Sequence, residues 1–174
     1  MKNYPVVRTD KMCGTDNRID LYSVRYMGAG GDTPTAITNG SVVKRGDLMT
    51  GKSGTYTARE VYVGKDVEAD TPLSEVLLIA TPEVDYDERN RDLDDFTNEA
   101  GANSRAYGLH VGSIFGVTAN AFSGTPAKGD IVELAKGTQL KVVKSATPSS
   151  TTVGKIEAVE PAGKYTFYVV RVTG

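Results

Sequence analysis

The run Gly46-Asp47-Leu48-Met49-Thr50-Gly51-Lys52-Ser53 matches the phosphate-binding pattern G-x-x-x-x-G-K-S letter for letter. In that chemistry a strand leads in and a helix leads out, and backbone N–H groups at the helix N-terminus converge on the phosphates. Here the residues that follow, Gly54-Thr55-Tyr56-Thr57-Ala58-Arg59-Glu60-Val61-Tyr62-Val63, are β-branched, aromatic and alternating, and they open on another glycine. They predict a strand. No later apolar strand ends in an aspartate placed to hold Mg2+, since Val76–Ala80 runs into Thr81-Pro82. The pattern reads as a hairpin turn. The overlapping Arg45-Gly46-Asp47 spells the tripeptide that integrins read, but Gly-Asp is ordinary turn chemistry, and a tight hairpin is expected there too.

Other reactive groups are sparse. His110 is the single histidine and Cys13 the single thiol. A Ser-His-Asp or Cys-His arrangement needs His110 as its base, and His110 lies in an apolar run with no signature around it. A zinc site needs about four ligands from Cys, His and acids, and this chain offers one of each soft type. The stretch from Asp85 to Asp95 could offer hard oxygen ligands, but it lacks calcium-loop spacing: its fifth position is Arg89 and its sixth is not glycine. A solvated or partner-facing acidic loop is expected instead. These readings predict no catalytic residue, no cofactor and no metal site.

The bulk composition sets the class. Of 174 residues, 39% are hydrophobic and 24% charged, the balance of an ordinary globular chain. A net charge of −2 without a Lys/Arg cluster gives no nucleic-acid footprint. The longest apolar run, Val76–Ala80, is far short of the ~20 residues that a helical membrane span needs. The opening Met1-Lys2-Asn3-Tyr4-Pro5 has no apolar stretch of a secretory signal, and the single cysteine excludes an internal disulfide. A cytoplasmic site of synthesis and assembly is expected.

The elements follow from alternation and turn residues. Residues 1–18 predict an extended N-terminal arm, and 19–82 an N-terminal β lobe. In that lobe Tyr22, Val24 and Tyr26 share one strand face, and Ser74–Thr81 reads as a central strand. Residues 83–104 form an acidic connector. Its segment Glu83–Glu99 holds eight acids against Arg89 and Arg91. Around Leu93–Ala100 a single short helix, with Asp92 as cap and Gly101 as stop, and an irregular loop fit equally well. Residues 105–174 predict a C-terminal β-barrel lobe with strands at Leu109–Thr118, Ile131–Leu134, Gln139–Lys144, Thr152–Val159 and Tyr165–Val172. Gly/Pro/Ser clusters separate them, among them Pro161-Ala162-Gly163. The fold class is mostly β: a small Gly-rich barrel or sandwich in two lobes sharing a core, with at most one short helix.

Three stretches carry a resemblance: Leu93-Asp94-Asp95-Phe96-Thr97-Asn98-Glu99-Ala100-Gly101, Arg105-Ala106-Tyr107-Gly108-Leu109 and Val111-Gly112-Ser113-Ile114-Phe115-Gly116-Val117-Thr118. Together with the C-terminal strands, about the last 80 residues resemble the capsid decoration or cement proteins of tailed bacteriophages. The resemblance is one of general pattern and transfers no functional residue. It implies a non-enzymatic virion protein on the outer face of a phage head, assembled in the bacterial cytoplasm. Its partner would be the major capsid protein, whose subunits it would bridge as a dimer or trimer. The alternative is a carbohydrate- or receptor-binding β module of a phage tail or fibre, with exposed tyrosines stacking on sugars. On either reading the arm is expected to be weakly ordered alone and to order on a partner through Val6, Val7, Arg8, Lys11 and Met12.

Overall fold

The computed structural model describes residues 3–9, 12, 20–49, 60–84, 92–144 and 149–174. Strand dominates it, and among the described residues no helix reaches seven residues. The first five strands are β1 (Leu21–Tyr26), β2 (Val42–Leu48), β3 (Val61–Lys65), β4 (Val76–Ile79) and β5 (Ser104–Gly108). They close into a barrel in the order β1-β3-β2-β4-β5, with β5 returning to β1. β1 and β3 are parallel and the other pairs antiparallel. Closure removes every edge from this sheet.

The interior of so small a barrel takes few side chains. Val24, Ile37, Val43, Leu77, Ile79 and Ala106 fill it, with Tyr22, Tyr26 and Tyr62 packed against them. The face that Tyr22, Val24 and Tyr26 share on β1 is thus the inner one. Gly64 is required by this packing, because a Cβ there would stand 2.7 Å from Val24 Cγ1.

The remaining strands are β6 (Ile114–Thr118), β7 (Phe122–Ser123), β8 (Ile131–Leu134), β9 (Leu140–Val143), β10 (Thr152–Ala162) and β11 (Tyr165–Val172). They form a second sheet in the order β6-β11-β10-β8-β9-β7. The main core lies between this sheet and the outer face of the barrel. Val42, Val76, Leu78 and Ala80 meet Phe115, Val117, Leu134, Leu140, Ile156 and Val170 there. This explains the wholly apolar β4. Leu77 and Ile79 point into the barrel while Val76 and Leu78 point at the second sheet, so both faces are dry.

Several expectations need correction. The described part of the N-terminal arm, residues 3–9 and 12, packs onto the fold. Val6 and Val7 are 1% and 3% exposed. Val7 bridges Val117, the Thr118 N–H donates to Val6 O, and the Arg8 N–H donates to Gly116 O. Residues 6–8 therefore extend the second sheet beyond β6. The arm's own apolar content is small, but it meets a core built by other elements, which local sequence cannot reveal. Of the short helix or loop expected around Leu93–Ala100, the structure forms a 3-10 turn at Leu93–Asp95, and Asp92 makes no side-chain cap there. Arg45-Gly46-Asp47 lies within β2, at a bulge where the pairing with β3 shifts register between Arg45 and Leu48. It is not the tip of a hairpin. Residues 109–113 are a turn rather than strand. Pro161 lies inside β10 rather than breaking it. β10 pairs with β8 only over Thr152–Lys155, so at Pro161 the far side of the strand has no partner and the missing N–H costs no bond. β5 belongs to the barrel, so residues 104–108 lie in the first sheet.

Candidate functional site

Strand register brings five scattered residues to one end of the barrel. β1 and β3 begin there, and β2 and β5 end there. Arg45 follows Val43 by two residues in β2, so it stays on the inner face and reaches the mouth. Its guanidinium carbon stands 5.2 Å from the Tyr22 ring centroid and 5.8 Å from that of Tyr62. Arg45 Nη1 donates a hydrogen bond to Tyr22 Oη at 2.9 Å. The two rings meet edge to face at 5.7 Å and 80°. The half-buried cation is thus held in an aromatic frame, an arrangement worth about 0.5–2 kcal/mol per ring.

Beyond Tyr22 lies a second pair. His110 Nε2 stands 2.6 Å from Asp20 Oδ1. Asp20 is buried, whereas the His110 side chain is 55% exposed. Gly108 makes room for both neighbours: a Cβ there would stand 3.2 Å from His110 Nε2 and 3.6 Å from the Tyr22 ring. The Asp20–His110 pair and the Tyr22–Arg45–Tyr62 frame therefore lie on either side of Gly108 at one end of the barrel. On its β2 side an open groove of about 750 Å3 runs past Lys44, Arg45, Asp47, Leu48, Tyr62 and Glu75. Lys44 and Glu75 pair across it at 3.1 Å. Mouths of small barrels are recurrent ligand sites.

No family model matches this chain, and no curated protein or solved structure does. The site is therefore read from its own geometry.

The residues singled out by motif fall as follows. Gly46, Asp47 and Leu48 are strand residues of β2. Lys52 and Ser53, which would complete a phosphate loop, lie outside the described residues, as do Cys13, Lys11 and the acids Asp85, Asp87 and Glu88. Of the arm residues, Val6 and Val7 are internal and Met12 packs against the main core. Arg8 lies over the Phe167 ring at 5.2 Å and pairs with Glu160 at 3.6 Å. Among the described residues no three His, Cys, Asp or Glu side chains gather as metal ligands. Sequence reading missed Asp20, Tyr22, Arg45 and Tyr62 as a group. The available signal was a cation at an inward position of an otherwise apolar strand face.

Other polar clusters tie the fold. Lys164 Nζ reaches Asp92 at 2.7 Å and Asp94 at 2.9 Å, and Tyr165 Oη donates to Asp94 at 2.9 Å. Burial pushes the Asp94 carboxyl up, but hydrogen bonds from Lys164 and Tyr165 outweigh it and hold it below the usual range. The Asp92 hydrogen bond leads in raising Lys164. This cluster fastens the connector to the β10–β11 hairpin. At the far end of the barrel Asn39 donates to Thr81 O at 2.7 Å and accepts from Thr81 N at 3.0 Å. Tyr26 donates to Asp66, and burial followed by that bond raises its hydroxyl.

Proposed function

We propose that this chain is a structural protein of a tailed-phage head, docked on the outer face of the shell and bridging major capsid subunits. The observation that carries the reading is that the chain covers most of its own sheet edges, leaving the far side of β10 beyond Ile156 as an open stretch. The first sheet closes on itself, and residues 6–8 cover β6 of the second. The opposite edge strand, β7, is two residues long. The closed barrel and the covered β6 resist strand addition at those edges, so docking there falls to side-chain surfaces. That suits a protein displayed in many copies on one lattice. The resemblance of about the last 80 residues to decoration proteins supports the same reading. Bridging would bury on the order of 1,000 Å2 or more at each junction, enough to oppose outward pressure on the shell.

The test is co-sedimentation of the purified chain with shells assembled from the major capsid protein encoded in the same genome. Binding that saturates at a fixed ratio per capsid subunit, together with a raised disruption temperature of the shell, supports the reading. Failure to sediment at micromolar concentration overturns it.

A further inference from the structure

We infer that the barrel mouth is a binding site for a carboxylate group, taken up by the guanidinium of Arg45. A guanidinium offers five N–H donors in a planar fork. Tyr22 Oη takes one of them, and no carboxylate among the described residues pairs with Arg45. Of the nearby acids, Glu75 is held by Lys44 at 3.1 Å and Asp20 by His110 at 2.6 Å, while Asp47 lines the groove without pairing with Arg45. The aromatic frame fixes the guanidinium before any ligand arrives and strips part of its hydration. A planar anion then gains charge-assisted, two-point hydrogen bonding without having to order the side chain.

The groove also selects the anion. Lys44 and Arg45 line it against Asp47 and Glu75, so its formal charge is balanced. A doubly charged phosphate meets two acids there, whereas a singly charged carboxylate matches one free fork. Leu48, 41% exposed at the same rim, gives an apolar edge for the body of the ligand. A groove of about 750 Å3 has room for a sugar acid or an acylated amino acid, which share this chemistry. A mouth of this kind serves a capsid-bound or a free protein alike, so capsid binding and carboxylate binding fail separately.

The experiment is NMR titration of the 15N-labelled full chain with glucuronate, N-acetylglycine, glucose and inorganic phosphate, following the Arg45 Nε–H and the amides of β2 and β3. At least one carboxylate is expected to give saturable shifts with a Kd of about 1–10 mM. Glucose should give none, and phosphate should bind more weakly. Preference for glucuronate identifies a sugar acid, preference for N-acetylglycine an acyl amino acid, and equality a site that reads the carboxylate alone. Arg45→Lys keeps the charge and loses the fork, so affinity should fall about tenfold. Arg45→Gln should abolish binding, and where that variant does not fold Arg45→Lys decides. Tyr22→Phe removes only the orienting hydroxyl and should weaken binding about threefold. The proposal is overturned by no saturable shift from either carboxylate at about 50 mM, by glucose or phosphate binding as tightly as the carboxylates, or by an Arg45→Lys variant that binds like the wild type.

Discussion

Asp20 and His110 stand 90 residues apart in the chain and meet at 2.6 Å. Asp20 immediately precedes β1, and His110 follows β5 in the turn that leads to the second sheet. Their contact fastens the entry to the barrel to the crossing between sheets. His110→Ala leaves a buried carboxylate without its partner, which costs about 1–3 kcal/mol. The unfolding temperature should drop by about 2–4 °C for each of those kcal/mol. The double variant Asp20→Asn/His110→Ala should lose less than the sum of the two single losses, as a double-mutant cycle in thermal unfolding would show.

Val6 and Val7 are expected to contribute to folding whether or not the arm meets a partner. Val6→Ala and Val7→Ala each remove two buried carbon groups, about 1–2 kcal/mol apiece. Together they should lower the unfolding temperature by about 5–15 °C. Val84→Ala, at a side chain 65% exposed, should change stability by no more than about 0.5 kcal/mol. Equal unfolding temperatures for the double arm variant and the wild type would show that the arm does not seal the core.

Ser104 has the only buried side-chain polar atom among the described residues without a hydrogen-bond partner. It is 2% exposed and alternates with Ala106 on the inner face of β5. Ser104→Ala removes an unsatisfied group of nearly the same size. Stability should hold or rise by up to about 1 kcal/mol, read as a higher denaturant midpoint at unchanged slope.

The Lys164 cluster predicts a pH dependence with a definite sign. Asp94 is held below its usual range, so its contribution is complete above the unfolded value of about 3.9 and is lost as pH falls through the lower folded value. Lys164 is raised, so its contribution is complete below about 10.4 and is lost only as pH rises through the higher folded value. Wild type should therefore exceed Lys164→Met in stability at neutral pH. The gap should close as pH drops below about 4. Urea unfolding at a series of acid pH values checks this, and a gap that widens in acid would contradict it.

Gly154 pairs with Val172 where β10 changes register, and a Cβ there would stand 2.0 Å from the Arg171 carbonyl oxygen. The clash is with backbone, so no rotamer relieves it. Gly154→Ala should cost several kcal/mol, on the order of 3 or more, or prevent folding. Gly30→Ala, whose Cβ would meet only Asp32 Oδ2 at 3.5 Å, should stay within about 0.5 kcal/mol of wild type in the same unfolding assay.

Alternation and turn residues by themselves determined that this is a β protein and located most of its strands. Tyr165–Val172 and Ile131–Leu134 coincide with β11 and β8, and alternation puts Tyr22, Val24 and Tyr26 on one face of β1. These signals are local, because a period of two and a glycine-rich break act within a few residues. Tertiary structure alone decided that Arg45-Gly46-Asp47 is strand rather than turn. A bulge is set by what the partner strand offers, and β3 lies beyond the segment 50–59. It also decided that Val6 and Val7 are core, because the surface that covers them comes from residues more than a hundred positions away. The mouth cluster is the clearest case. Asp20, Tyr22, Arg45, Tyr62 and His110 have no common spacing, and only closure of the barrel through β1–β3 and β1–β5 pairing sets them side by side.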